Sequence, residues 1–363
     1  MRRYAALLLL VSACGQPAAV APRDGGPTIP PAASASPAAK ATFPRGLYVV
    51  RPSLDRPGGT VELLEGAGPL PVKVDFVGHG YDVSDDVIVA PTPRNDGLVL
   101  HFADGSRREV RVNGLYAIAR PSLSPDGKLA AVQATETPIS PASPMPRFLT
   151  IYVIDLASGA FRRLVAPGTQ DIAEGRELPR WSPRGDRILY QTNDLSAGPP
   201  GCNSVRVVDA AGGTPLLAIG KDGPTGCFTP TAASGPRFHA EFGADGSRIL
   251  IPGQLQLYDA ASGQLLADVR RQALEGLAAA GYRPDARFPG QAGAGTFPLA
   301  GSLSPDGRSI AFDGAVEKDG VSGVILCRIN VDGSGFGVLR APVRLSPMFS
   351  NEHNFSQLLP RWR

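Results

Sequence analysis

Ser122-Leu-Ser-Pro-Asp-Gly-Lys-Leu-Ala-Ala-Val-Gln133 reads as a large apolar residue, a tight turn and a strand. Proline presets φ in such a turn, aspartate accepts backbone N–H groups within it, and glycine takes the positive φ that a side chain resists. Three further segments share the plan: Arg180 to Gln191 (RWSPRGDRILYQ), Glu241 to Pro252 (EFGADGSRILIP) and Ser302 to Asp313 (SLSPDGRSIAFD). Their turn glycines, Gly127, Gly185, Gly246 and Gly307, are 58, 61 and 61 residues apart. Self-similarity at a fixed long period marks a repeat architecture. Pro183-Arg184 and Gly243-Ala244 degrade the motif in two copies but keep the glycine, so the turn geometry is expected to survive there.

A second hairpin follows each first one, with glycine turns at Gly105, Gly159, Gly213, Gly263 and Gly335 between strand-like flanks such as LTIYVIDL and FRRLV. Two hairpins per unit make a four-stranded antiparallel sheet. Stepping back one interval from Gly105 reaches Gly58-Gly59, flanked by GLYVVRP and TVELLEG, and brings the units to six. The first unit lacks its own first hairpin. The chain ends Leu359-Pro-Arg-Trp-Arg363, a near copy of Leu178-Pro-Arg-Trp181, so the terminal strand is expected to complete the first sheet. The expected fold is an all-β, six-bladed β-propeller with four-stranded antiparallel blades, the C-terminal strand closing the first blade. A seventh blade would need a sheet with no visible turn pair.

Composition agrees. Gly 43 and Pro 36 make about a fifth of the 363 residues, which suits short strands and tight turns. Hydrophobic content of 43% suffices for a substantial core. The net charge is +3, and loss of Arg2 and Arg3 with a leader leaves about +1. Strong attraction to nucleic acid or anionic lipid is therefore not expected.

Met1 to Gly15 reads MRRYAALLLLVSACG: two arginines, an apolar run too short to span a bilayer, small residues, then cysteine. Val11-Ser12-Ala13-Cys14 resembles the lipobox of bacterial lipoproteins. The resemblance implies removal of 1–13, a diacylglyceryl thioether on Cys14 and attachment to the membrane through it; Gly15 in place of Asp implies sorting to the outer membrane, facing periplasm or cell surface. An ordinary cleaved signal peptide with an incidental cysteine is the alternative. Residues 14–44, rich in Pro, Ala, Ser and Gly, are expected to be a disordered tether, with the folded domain at 45–363.

The SPDG-type units, the LPRW-type strand and the period of about 60 residues resemble the propeller of TolB-like proteins. That resemblance covers about 45–363 and implies recognition of a protein or small ligand; similar repeats also accompany hydrolase domains in prolyl-oligopeptidase-like enzymes. No additional α/β domain is expected beside the repeats.

Chemistry-bearing motifs are sparse. The four histidines, His79, His101, His239 and His353, show no metal-ligand spacing, and neither a Cys-x2-Cys pair, a Gly-x-Ser-x-Gly elbow, a Walker loop nor a dinucleotide fingerprint occurs. No metal or cofactor is expected. Asp126, Asp245 and Asp306 recur a whole sheet apart, which suits turn capping rather than calcium. His239 and Glu241 are placed on a strand beside the central channel, where ligand contact and simple packing are both open. Cys202 and Cys227 flank one hairpin whose return could bring them together; pairing is worth roughly 3 kcal/mol by the chain-entropy argument, and separate thiols are the alternative. Cys327 reads as a buried free thiol. The longest interruption, 270–298, begins with a helical pattern and is either a contact loop or a cap. These features together point to a non-catalytic binding or scaffold module for an unidentified protein, peptide or cell-envelope component, with a propeller-borne glycan lyase or hydrolase as the alternative.

Overall fold

The turn residues do what their chemistry requires. Ser124 Oγ donates to Asp126 Oδ1 (2.7 Å) and accepts the Leu129 amide (2.9 Å), while Gly127, at φ 67°, donates to the Ser124 carbonyl. Ser304, Asp306 and Gly307 repeat this arrangement. In the degraded copies Gly185 and Gly246 keep positive φ and donate to the carbonyls of Ser182 and Gly243. Asp126, Asp245 and Asp306 each accept a backbone amide two residues on, as turn-capping residues do.

The computed structural model describes residues 41–52, 59–66, 69–76, 80–139, 148–166, 176–194, 202–220, 240–285, 298, 300–343 and 360–363. Two compact units divide the chain: Met1–Ala39, which lies outside the described residues with Cys14, and Lys40–Arg363. Phe43 is already buried, with its amide bonded to the Asp85 carbonyl (2.8 Å), slightly ahead of the expected start at 45.

Blade 1 takes β1 (Gly46–Pro52), β2 (Gly59–Gly66) and β3 (Val74–Phe76). Blade 2 is β4 (Asp82–Val83), β5 (Val87–Pro91), β6 (Gly97–Phe102) and β7 (Arg107–Arg111); blade 3 is β8 (Tyr116–Leu123), β9 (Leu129–Thr135), β10 (Thr150–Asp155) and β11 (Phe161–Arg163). Blade 4 follows with β12 (Arg176–Trp181), β13 (Arg187–Asp194), β14 (Cys202–Asp209) and β15 (Leu217–Gly220). Blade 5 has β16 (Glu241–Phe242), β17 (Arg248–Ile251), β18 (Gln256–Asp259) and β19 (Leu265–Asp268). After helix α1 (Arg270–Ala279) and β20 (Arg283–Pro284), blade 6 is β21 (Gly301–Leu303), β22 (Ser309–Lys318), β23 (Val321–Asn330) and β24 (Gly337–Val343). The last strand, β25 (Arg361–Trp362), pairs with β1 through Leu47↔Trp362 and Tyr48↔Arg361, so blade 1 has the order β25-β1-β2-β3. The six-bladed ring and its C-terminal closure are as expected.

One detail differs. The sequence places Gly58-Gly59 at the outer turn of the first unit, but Gly59 opens β2 and faces Pro52 of β1, at the middle of the blade, and Gly58 lies outside the described residues. The outer strand, β3, lies one hairpin further on.

Both faces of each sheet are buried because alternate residues pack against different neighbours. In blade 3, Ala130, Val132, Tyr152 and Ile154 join blade 2, whereas Ala131, Ile151 and Val153 join blade 4. The six apolar clusters each fall between successive blades, the last uniting Leu47 and Val49 of blade 1 with Ala311, Ala315, Val324 and Leu326 of blade 6. No helix among the described residues is long and apolar enough to cross a membrane.

Candidate functional site

The residue just before the large apolar position of each innermost strand faces the ring centre. From blade 1 to blade 6 these residues are Arg361, Asp82, Ser122, Arg180, Glu241 and Ser302: cation, carboxylate, hydroxyl, then the same order again. Their bonds repeat with that half-ring period. Asp82 Oδ2 accepts the Leu123 amide of the next blade (2.8 Å), and Glu241 Oε1 accepts that of Leu303 (2.6 Å). Ser122 Oγ accepts the Trp181 amide (3.1 Å), and Ser302 Oγ accepts that of Trp362 (3.0 Å). Arg361 Nη1 donates to Glu241 Oε2 (2.9 Å), while Arg180 Nη1 donates to the carbonyls of Pro121 (3.2 Å) and Pro179 (3.0 Å).

A local backbone feature aims this ring inward. Gly80, Arg120 and Leu178 sit two residues before Asp82, Ser122 and Arg180, and all three have positive φ (89°, 53° and 56°). For arginine and leucine this left-handed conformation costs of order 1 kcal/mol or more and persists only where the surroundings impose it.

Two carboxylates and two arginines in one narrow ring are a constellation that acid–base chemistry could use. Three of the four are buried, Arg180 at 7% exposure, Glu241 at 8% and Arg361 at 5%, while Asp82 is half-buried. Desolvation pushes the Glu241 carboxyl up to about 8, against hydrogen bonds from Ser302 and Leu303 and the charge of Arg180. Desolvation also raises Asp82, opposed mainly by Arg180. The ring's groups are thus engaged in blade-to-blade bonds.

The two faces of the ring differ. On the face carrying the SPDG-type turns, the connections within blades have three to seven residues, the longest being 67–73 and 210–216. Antiparallel order puts at the opposite face the strand ends that the other connections join, among them Thr135 and Thr150, Arg163 and Arg176, Gly220 and Glu241, Asp268 and Gly301, and Val343 and Arg361. The β22–β23 hairpin of blade 6 also runs toward that face. It pairs without interruption from Ser309↔Asn330 to Lys318↔Val321 and turns at Asp319-Gly320, both at positive φ.

The interruption after Asp268 props this hairpin. Ala273 and Leu277 of α1 are buried against blade 6, and β20 adds to β22 through Arg283↔Glu317 and Pro284↔Val316. Lys318 Nζ lies 4.7 Å from the Tyr282 ring centroid, a cation–π contact. The described part of this segment, up to Asp285, packs on blade 6, and residues 286–297 lie outside the described residues.

His239 and Cys227 lie outside the described residues, and of Cys202 only the backbone, at the start of β14, is described. Cys327 is a buried free thiol, pushed up to about 12 by burial. Glu241 is in the inner ring, bonded to Leu303 and Arg361. Sequence reasoning missed Asp82, Arg180 and Arg361, although each occupies the same repeat position as Glu241.

Fold and centre together define a six-bladed β-propeller with a polar, mutually bonded inner ring. Neither a protein-family model nor a curated protein matches the chain. Among solved structures it is similar to TolB from Acinetobacter baumannii, at 17% identity and a TM-score of 0.49 over 89% of this chain and 66% of that one. It is also similar to a putative TolB from Agrobacterium tumefaciens (12% identity, TM-score 0.44, 82% of this chain and 89% of that one). A chain of a nidogen/laminin complex is similar at 10% identity and a TM-score of 0.48, over 88% of this chain and 97% of that one. The chain therefore spans just under two thirds of the Acinetobacter protein.

Proposed function

We propose that this chain is an exported lipoprotein, anchored through Cys14, whose propeller is a non-catalytic binding module for a protein, peptide or cell-envelope component. The observation that carries the binding reading is the asymmetry of the faces: the strand ends separated by long stretches of sequence and the propped blade 6 hairpin lie on one side, and the strand ends on the other side are joined by three to seven residues. Long surface connections on a rigid scaffold are where recognition residues concentrate. The anchor rests on the Val11–Cys14 pattern.

Photo-crosslinking groups placed at Ser322, beside the blade 6 hairpin tip, and at Ser262, on the opposite face, test the binding reading in cell-envelope extracts. Specific adducts are expected from Ser322 and not from Ser262; the reverse would overturn the assigned face. Incorporation of labelled fatty acid tests the anchor, and equal labelling of wild type and Cys14→Ala would overturn it. The inner ring favours a second reading, a glycan lyase or hydrolase. Turnover of a glycan or ester panel that Glu241→Gln abolishes, with the fold intact, would establish it.

A further inference from the structure

Asn113-Gly114 is the one Asn-Gly step in the sequence, and it lies in the turn that joins β7 of blade 2 to β8 of blade 3. Both residues are exposed, and Gly114 has a φ of 92°, which a side chain would resist. Their neighbours are not exposed. Val112 and Leu115 are buried in the apolar cluster between the two blades, so the turn is pinned at both ends and open to water between them. A concavity of about 570 Å³ reaches both Asn113 and Gly114.

An asparagine side chain can be attacked at Cγ by the backbone nitrogen of the next residue, provided that nitrogen is not already donating its proton. Asn95, Asn113 and Asn330 are the asparagines whose side chains are described, and they differ in this respect. After Asn95, the Asp96 amide donates to Thr92 Oγ1 (3.2 Å). After Asn330, the Val331 amide donates to the Arg308 carbonyl (2.8 Å), and the Asn330 side chain is itself held by Ser309 (2.9 Å) and Ser334 (3.0 Å). At the third site, neither the Asn113 side chain nor the Gly114 amide has a hydrogen bond among the described residues. A Cβ added to Gly114 would meet nothing nearer than the Phe161 ring at 3.8 Å, so the turn also has room to change shape.

We propose that Asn113 is a site of spontaneous covalent modification, its side-chain amide being converted to a carboxylate through a cyclic imide with Gly114. The Gly114 nitrogen bonds to Asn113 Cγ as its proton passes to solvent. The Cγ–Nδ2 bond then breaks, and the departing nitrogen takes up a proton and leaves as ammonia. Water opens the ring in one of two ways. Hydrolysis at Cγ gives an aspartate in the normal chain; hydrolysis at the main-chain carbonyl gives an isoaspartate, whose main chain runs through Cβ and Cγ and is one carbon longer. That extra carbon has to fit between Val112 and Leu115, which the two blades hold in place, so the isoaspartate form loosens the junction of blades 2 and 3. The inference is independent of the binding reading.

The test is incubation of the folded full chain in heavy-oxygen water at mildly alkaline pH, followed by tryptic digestion and mass spectrometry. Trypsin spares the Arg120-Pro121 bond, so Asn113 is read in the peptide from Val112 to Lys128, which holds no other asparagine or glutamine. Fragment ions assign the gain of heavy oxygen. Asn113 should convert about tenfold or more faster than Asn95 and Asn330, because an amide that must first release a hydrogen bond starts about that far behind. Asn113→Gln, which would need a larger ring, should show no gain and an unchanged melting midpoint. The converted protein should melt below both wild type and freshly purified Asn113→Asp, which carries the new charge without the extra carbon. Equal rates at the three asparagines would overturn the proposal. So would retention of the amide in the folded chain under conditions where the excised peptide loses it, since the fold would then protect the turn. A converted form with the midpoint of Asn113→Asp would overturn the loosening of the junction.

Discussion

Glu241 is held by the Leu303 amide, Arg361 Nη1 and the Ser302 hydroxyl. Glu241→Ala orphans the buried Leu303 amide and leaves Arg361 Nη1 only the longer contact to the Pro360 carbonyl (3.5 Å), so at about 1–3 kcal/mol per weakened group a loss of about 2–5 kcal/mol is expected in chemical unfolding. Glu241→Gln keeps an acceptor for Leu303 and should lose less. Because the folded carboxyl is raised to about 8, the folded state holds its proton more tightly than the unfolded state. Its contribution is complete below the unfolded value, near pH 4.5, and is lost as pH rises through about 8. Wild-type stability measured against Glu241→Gln should therefore decline from pH 5 to pH 9, and a flat difference would contradict the raised carboxyl. The inner ring was partly legible in the sequence, since every member precedes the large apolar residue of its repeat. It went largely unread because the six positions hold four residue types, and only their bonds to the next blade reveal a shared task. Gly276 gives a second residue-scale expectation. A Cβ there would lie 2.3 Å from Phe336 Cγ, so Gly276→Ala should lower the melting midpoint although alanine favours helix by about 1 kcal/mol.

At the scale of elements, the turns and the closing strand matter most. Hydrogen bonds within the turns hold the carboxyls of Asp104, Asp126, Asp155, Asp186, Asp245, Asp259, Asp306 and Asp332 below the usual carboxylate range. A depressed carboxyl contributes stability above its unfolded value, near 3.9, and loses it as pH falls through the folded value. The melting midpoint should fall between about pH 5 and about pH 2, and less steeply in Asp126→Asn/Asp306→Asn. These turns were readable because Ser, Pro, Asp and Gly each have a distinct turn role. The blade 2 turn between β4 and β5 was not, since Ser84-Asp85-Asp86 contains neither glycine nor proline and closes by the Ser84 amide donating to Val87. β25 was legible as a copy of β12, and the structure ties it to four blades. It pairs with β1, Trp362 donates to Ser302, Arg361 reaches Glu241, and Arg363 binds Asp85. Deleting residues 358–363 should destabilise by about 3 kcal/mol or more, since partly buried Trp362 is lost together with buried Arg361 and their bonds; an unchanged midpoint would mean that closure is made elsewhere.

At the scale of the ring, the apolar clusters lie between blades, so no blade owns its core. Linear repeat arrays, in which each unit contacts only its neighbours, can fray from their ends. A closed ring removes those ends, provided the junction between blades 6 and 1 is as well packed as the others. Leu47, Val49, Ala311, Ala315, Val324 and Leu326 at that junction are all fully buried, and Arg340 Nη2 binds Glu62 Oε2 across it (2.6 Å). Residues Lys40–Arg363 are therefore expected to unfold in one transition. Leu326→Ala at the closing junction and Ile188→Ala between blades 3 and 4 remove comparable apolar groups from fully buried sites. Each should cost about 2–5 kcal/mol and move the same midpoint. Hydrogen exchange provides the sharper reading. In both variants, protection of the slowest amides should fall by one common factor in all six blades, because those amides exchange only when the ring opens as a whole. Loss confined to blades 6 and 1 in Leu326→Ala would show that the junction opens as a seam, and the ring would then behave as a linear array whose ends happen to touch.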